Sequence, residues 1–158
     1  MKWQEVCEDP RLKDLPYKIE LNEYGKILMS PQKVYHSIFQ GKIQNILRKL
    51  NRTGEVFPEC AISTVKGTKV ADVVWVSEER YHIIKREIEC SISPELCVEI
   101  ISSSNTQEEM EEKKGLYFGQ GAKEFWLCDE NGDITFFNHS GQLGSSSLVP
   151  NFPNKIDL

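Results

Sequence analysis

Two acidic residues and a pair of lysines stand where packing alone would not put them. In the run "KVADVVWV", Asp72 alternates with Val70, Val74 and Val76. In "ELCVEII", Glu99 alternates with Cys97 and Ile101. Side chains of a strand point to opposite faces in turn, so each carboxylate is expected on an otherwise apolar face. A carboxylate buried there must be paired, protonated or bound to a metal, because a bare buried charge is strongly unfavourable. Two of them on neighbouring strands repel unless a cation lies between.

The segment after Glu99 offers the cation. Thr106 and Glu109 form a T-x-x-E capping box, so a helix starts there. Met110 and Tyr117 fall on one stripe of that helix, with Lys113 and Lys114 between them. At least one lysine therefore projects on the packed side, within reach of the strand end that carries Glu99. An all-oxygen pair of Asp72 and Glu99 suits Mg²⁺ or Mn²⁺ better than zinc. A lysine beside such a cation suits a reaction that gains negative charge, and metal-assisted phosphodiester hydrolysis is one. The plainer alternative is a structural Asp and Glu, each paired with a base; spacing weighs the two about evenly.

The elements that must position these residues follow from pattern. Leu15 to Pro31 alternates around "NEYG" and predicts a hairpin turning at Gly25. A long helix follows, with Ser30 as cap, Pro31 as first helical residue, and Tyr35, Phe39, Ile43, Ile46, Leu47 and Leu50 at helical spacing; Gly41 is its weak point. Two strands are expected around "KGTK". A short helix capped by Ser77 should turn Tyr81, Ile84 and Ile88 inward. The strand of Glu99 and its helix come next, then a hairpin over "KEFWLCDENGDITFFN" turning at Asn131-Gly132, and a tail from His139 to Leu158 that reads mostly as loop. This is one mixed α/β (α+β) domain over 1–158, a sheet with helices packed on it.

Composition narrows the classes. Net charge is -5, so nucleic acid is not held by overall charge; phosphate contacts must come from a local patch, with Lys42, Arg48, Lys49, Arg52, Lys66 and Lys69 as candidates. No apolar run approaches membrane-spanning length and the start has no apolar leader, so a cytoplasmic protein is expected. Five cysteines without a C-x-x-C argue against a disulfide framework and a zinc site.

Read together, "YGKILMSP", His36, "ADVVWVS", "ELCVEIISSSNT" and "EKKGLYFGQGAKEFWLCD" resemble, in order, the Uma-type putative restriction endonuclease family of the PD-(D/E)XK nuclease superfamily. The match spans roughly Glu20 to Asn138 and is most specific from Pro94 to Asp129. The resemblance implies a restriction-endonuclease-like mixed central sheet flanked by helices, an αβββαβ core with an N-terminal hairpin. It implies a Mg²⁺-dependent (or Mn²⁺-dependent) endonuclease acting on DNA. Asp72 and Glu99 would be the metal ligands, with the Ile100 carbonyl, and Lys113, four residues before Tyr117, the catalytic lysine; Lys114 is the fallback. Ala71 stands where the family usually has Pro, Ile101 where the superfamily places its lysine, and "SSSN" where S-P-S is usual. His36 would sit at the rim of the site and Glu59 near the metal, though an ordinary helix histidine and a solvated strand glutamate read equally well or better. Glu124 is expected to pair with a base, and Trp75, Phe125 and Trp126 to serve the core. A homodimer would present two sites to two strands. The rival readings are a non-catalytic nuclease-fold domain that binds nucleic acid or protein, and an acid/base pair of carboxylates without metal, which a neighbouring lysine suits less well.

Overall fold

The computed structural model describes residues 1–158. Its elements run α1 (Trp3–Glu8), β1 (Tyr17–Leu21), β2 (Ile27–Pro31), α2 (Val34–Leu50), β3 (Glu55–Thr64), β4 (Gly67–Val76), α3 (Glu78–Ile84), β5 (Leu96–Ile100), α4 (Gln107–Gly119), β6 (Glu124–Cys128), β7 (Ile134–Asn138) and β8 (Gly141–Leu143). Six strands form one sheet in the order β3-β4-β5-β6-β7-β8, and β1-β2 form a separate hairpin. Only β5 and β6 run parallel. A parallel pair needs a crossover, which α4 supplies. The core order from α2 to β6 is the αβββαβ arrangement with α3 inserted, preceded by a hairpin.

The sheet is covered on both faces. Phe39, Ile43 and Leu47 of α2 pack with Val73, Leu96, Val98 and Trp126 on one. Tyr117 of α4 and Ile84 of α3 pack with Val74, Cys97 and Phe125 on the other. A β5 strand buried at every position reads as a continuous apolar run for this reason.

Several expectations need correction. Ser30 and Pro31 do not start α2: they pair with Lys18 and Tyr17 across the hairpin, and α2 begins at Val34 behind Lys33, which makes no side-chain cap bond. Ile88 lies beyond the end of α3 and is exposed. The tail is mostly loop, as expected, but β8 extends the sheet and Val149, Phe152 and Ile156 join the α2-side core. Gly41 has open space where a Cβ would stand, so nothing packs close to it.

Face alternation on β4 also fails at one point. Ala71 and Val74, three residues apart, enter the same cluster, so the alternation of faces shifts by one at Asp72 while the pairing register is unchanged. Opposite, Glu59 takes φ +54, a left-handed conformation rare outside glycine. The pairs on either side, Pro58↔Val73 and Cys60↔Ala71, hold while the Glu59–Asp72 step does not. Asp72 thus does not simply share a face with Val74 and Val76. At this step the Gln40 side-chain amide of α2 donates to the Asp72 backbone carbonyl at 2.8 Å.

Candidate active site

Asp72 is set by the place where two strands part. β4 and β5 pair at Trp75↔Leu96, Val74↔Cys97 and Val73↔Val98. One more step of that register would put Asp72 opposite Glu99, but the ladder stops. Instead the Ile100 amide donates to Asp72 Oδ2 at 2.7 Å. The fork brings both carboxylates together in the sheet interior, 1% and 2% exposed.

Three further elements close on the fork. From α2, His36 Nε2 lies 3.3 Å from Asp72 Oδ2. From α4, the Tyr117 hydroxyl donates to Glu99 Oε1 at 2.8 Å, and Lys113 Nζ stands 3.3 Å from the same oxygen and 2.8 Å from Glu20 Oε2. From β1, Lys18 Nζ lies 3.0 Å from Asp72 Oδ1 and 3.0 Å from Glu99 Oε2. Lys114 points elsewhere, pairing with Glu111 and sitting over the Phe137 ring. The helix stripe therefore resolves geometrically in favour of Lys113.

The hairpin is held in place by polar contacts to the start of β4. Gly67 is what lets it come so near: a Cβ there, at φ +90, would stand 2.3 Å from the Asn22 carbonyl and 2.4 Å from that of Leu21. The Lys69 ammonium donates to the Leu21 carbonyl at 3.0 Å and the Val70 amide to Glu20 Oε2 at 2.7 Å. Lys18 and Glu20, two apart on one strand, are thereby aimed at the same point. A cavity of about 450 Å³ opens between the hairpin and α4, lined by Lys18, Glu20, Lys69, Asp72, Glu99 and Lys113 among others.

Opposing terms act on each charge. Burial pushes Asp72 up, but Lys18, His36 and the Ile100 amide outweigh it and hold the carboxyl well below its usual range. Burial drives Glu99 up to about 7, although Lys113 and Lys18 pull it down. Burial opposes the charge on Lys18, yet Asp72, Glu99 and Glu20 raise its pKa well above the ordinary lysine value. Glu20 ends lowered, because Lys113 and Lys18 overcome its burial.

Other sequence candidates are placed less centrally. Glu59 does not reach the fork with its carboxylate; it accepts from Gln40 at 2.7 Å, and burial raises its pKa. Of the basic residues, Lys69 lines the cavity, while Lys66 pairs with Glu112 at its edge. Arg48 donates to the Val56 carbonyl, and Lys42 and Lys49 line a shallow depression elsewhere with Lys155. Glu124 has no base: it accepts from Trp126 Nε1, Ser146 Oγ and the amides of Ser147 and Leu148. The sequence reading missed Lys18 and Glu20 as members of the site. Their opposite charges at i and i+2 on one face of a predicted strand were the available signal, because such a face does not pack into a core.

The donor set fits a hard divalent cation. It consists of carboxylate oxygens, two of which face a common point, the ligand type that suits such a cation, while no group of three or more His, Cys, Asp or Glu side chains is placed to hold a metal ion. No helix is long and apolar enough to cross a membrane.

A forked mixed sheet with acids at the fork and a lysine from the crossover helix defines a restriction-endonuclease-like fold. Residues 8–154 match the Uma2 family, described as putative restriction endonuclease, and the chain belongs to that family. Its fold is similar to the crystal structure of a putative nuclease belonging to DUF820 from Anabaena variabilis, with a TM-score of 0.68 and 20% identity over 87% of this chain and 79% of that one. No curated protein matches the chain.

Proposed function

We propose that the protein is a divalent-metal-dependent endonuclease that hydrolyses DNA phosphodiester bonds. The observation that carries the reading is the convergence of Asp72, Glu99 and Lys113 at the β4–β5 fork, beside an open cavity. Asp72 and Glu99 would hold Mg²⁺ or Mn²⁺, with the Ile100 carbonyl as a further oxygen. A bound cation of this kind supplies Lewis-acid charge to a phosphoryl oxygen and an acidified water. Lys113 stands on Glu99 from the cavity side and stabilises charge gathering on the scissile phosphate. Tyr117 fixes the Glu99 carboxylate through Oε1, and the Ile100 amide and His36 fix that of Asp72 through Oδ2. Lys18, Lys69 and Lys113 are the lysines that line the cavity, and phosphate contacts there would come from among them.

Cleavage of plasmid and linear DNA at low salt with Mg²⁺ or Mn²⁺ tests this. Glu99→Gln should abolish cleavage, and Lys113→Ala should reduce it by about 10²–10³, the usual effect of losing one charge-stabilising donor. Lys114→Ala should leave it nearly unchanged. A folded wild-type protein that cuts no DNA with either metal overturns the reading. One observation favours the second reading, a non-catalytic nuclease-fold domain: Lys18 already bridges both carboxylates. DNA binding without cleavage would select it.

A further inference from the structure

We propose that the Lys18 ammonium and a divalent cation are exclusive occupants of one position, so that Lys18 is a built-in competitor that metal must displace. The inference rests on the metal-dependent reading above and concerns a residue to which that reading gives no part in metal binding.

The carboxylate oxygens carry the argument. Asp72 Oδ2 is committed to the Ile100 amide at 2.7 Å and to His36 at 3.3 Å. Glu99 Oε1 is committed to Tyr117 at 2.8 Å and to Lys113 at 3.3 Å. These partners come from the sheet, α2 and α4, and they fix how each carboxylate is turned. The remaining oxygens, Asp72 Oδ1 and Glu99 Oε2, are the pair that face each other, and Lys18 Nζ takes both at 3.0 Å. Any cation shared by the two carboxylates binds through those same oxygens. Two positive charges cannot share them at such distances, because their repulsion in a buried setting is large.

Lys18 is suited to leave. Its charge rides on a flexible four-carbon stem, it belongs to the hairpin and not to the main sheet, and it borders the cavity into which it can swing. Lys113 differs: it reaches Glu99 through an oxygen that the shared position does not need. Lys18 then has two roles. It holds two buried carboxylates in register as a monovalent counter-ion, and once displaced it adds a positive charge to the wall of the cavity. Metal binding becomes a selection of the lysine-out state, and the apparent affinity falls by the fraction of molecules in which Lys18 is out.

The test is Mn²⁺ binding by titration calorimetry to wild type, Lys18→Met and Asp72→Asn, joined to a measurement on the wild type alone. Lys18→Met should bind Mn²⁺ about tenfold tighter or more, as expected if Lys18 is out in a tenth of molecules or fewer. Asp72→Asn should lose that binding. If Lys18→Met does not fold, acylation of wild-type lysines, read by mass spectrometry, carries the test. Lys18 should be acylated several-fold faster with saturating Mg²⁺ than without, while Lys155, more than half exposed, reacts at one rate. Wild type and Lys18→Met binding Mn²⁺ equally, with Asp72→Asn not binding, would overturn the competition and leave the metal site standing. Unchanged Lys18 acylation at saturating metal would do the same. Mn²⁺ binding to neither protein, or undiminished binding to Asp72→Asn, would overturn both the inference and the reading beneath it.

Discussion

Glu99 and Glu124 lie on adjacent parallel strands, each 2% exposed, and are satisfied in opposite ways. Around Glu124 every donor is neutral: an indole N–H, a serine hydroxyl and two backbone amides from the chain after β8. Around Glu99 a phenol is joined by two ammonium groups, and a second carboxylate stands opposite. Three fixed dipoles from Ser146, Ser147 and Leu148 make Glu124 a clasp that ties the tail to the sheet. Such donors cannot be exchanged without unfolding the segment that supplies them. Mobile ammonium groups can be exchanged for another cation, so the composition of the counter-charge separates a carboxylate that builds from one that is available for chemistry.

Three substitutions press on this contrast. The largest stability effect belongs to the clasp. Glu124→Ala leaves several buried donors unpaired, at about 1–3 kcal/mol each when wholly unsatisfied, and should lower Tm by about 6 °C or more. It should leave metal-dependent cleavage by the folded fraction intact. A comparable loss of Tm in Glu99→Gln would erase the distinction.

The next effect is a slope. Glu99 has a folded pKa of about 7 against an ordinary 4.5, so the folded protein holds a proton there that the unfolded chain releases. Stability from this group is full below 4.5 and falls as pH rises toward 7, by at most about 1.4 kcal/mol per pH unit for one proton. Asp72 runs the other way: its lowered pKa gives stability present above 3.8, lost as pH falls through the folded value. Thermal melts from pH 4 to 8 should show the decline in wild type and its loss in Glu99→Gln. An unchanged decline in that variant would assign the proton elsewhere.

The smallest effect comes from Ser146→Ala. It removes one neutral donor to Glu124, and the other three remain. A loss of about 1 kcal/mol, or roughly 2–4 °C in Tm, is expected for one such bond in a domain of this size. A loss as large as that of Glu124→Ala would mean that Ser146, through its contact to the Val149 amide, holds the turn by itself.

The same contrast explains what the sequence disclosed. Asp72, Glu99 and Lys113 were legible because each violates a local period: an acid in an apolar strand, a lysine in an apolar stripe. Local rules detect local violations. Lys18 breaks no period, its one signal being the opposite charge of Glu20 two residues on, and its partners lie 54 and 81 residues away. Glu124 looked like a residue in need of a base, because three of its four neutral donors reside in a Ser-rich tail with no periodicity to mark it as structured. The shift of faces at Asp72 was hidden for a similar reason. Alternation was assumed through a position where Glu59 breaks it from the neighbouring strand.

The docking of the hairpin at Gly67 also bears on the order of assembly. The fork is built from β4 and β5, whose pairing brings two carboxylates together. That intermediate arrangement is frustrated, with like charges adjacent and no counter-ion from the sheet itself. A two-stranded hairpin is marginal on its own, and Lys18 must close the longest loops of the site to reach the fork. Lys113 and His36 reach the acids from the two helices, and capture of the hairpin adds Lys18 to both. The cost of burying acids at the fork, high while the sheet stands alone, falls when the hairpin that carries Lys18 docks.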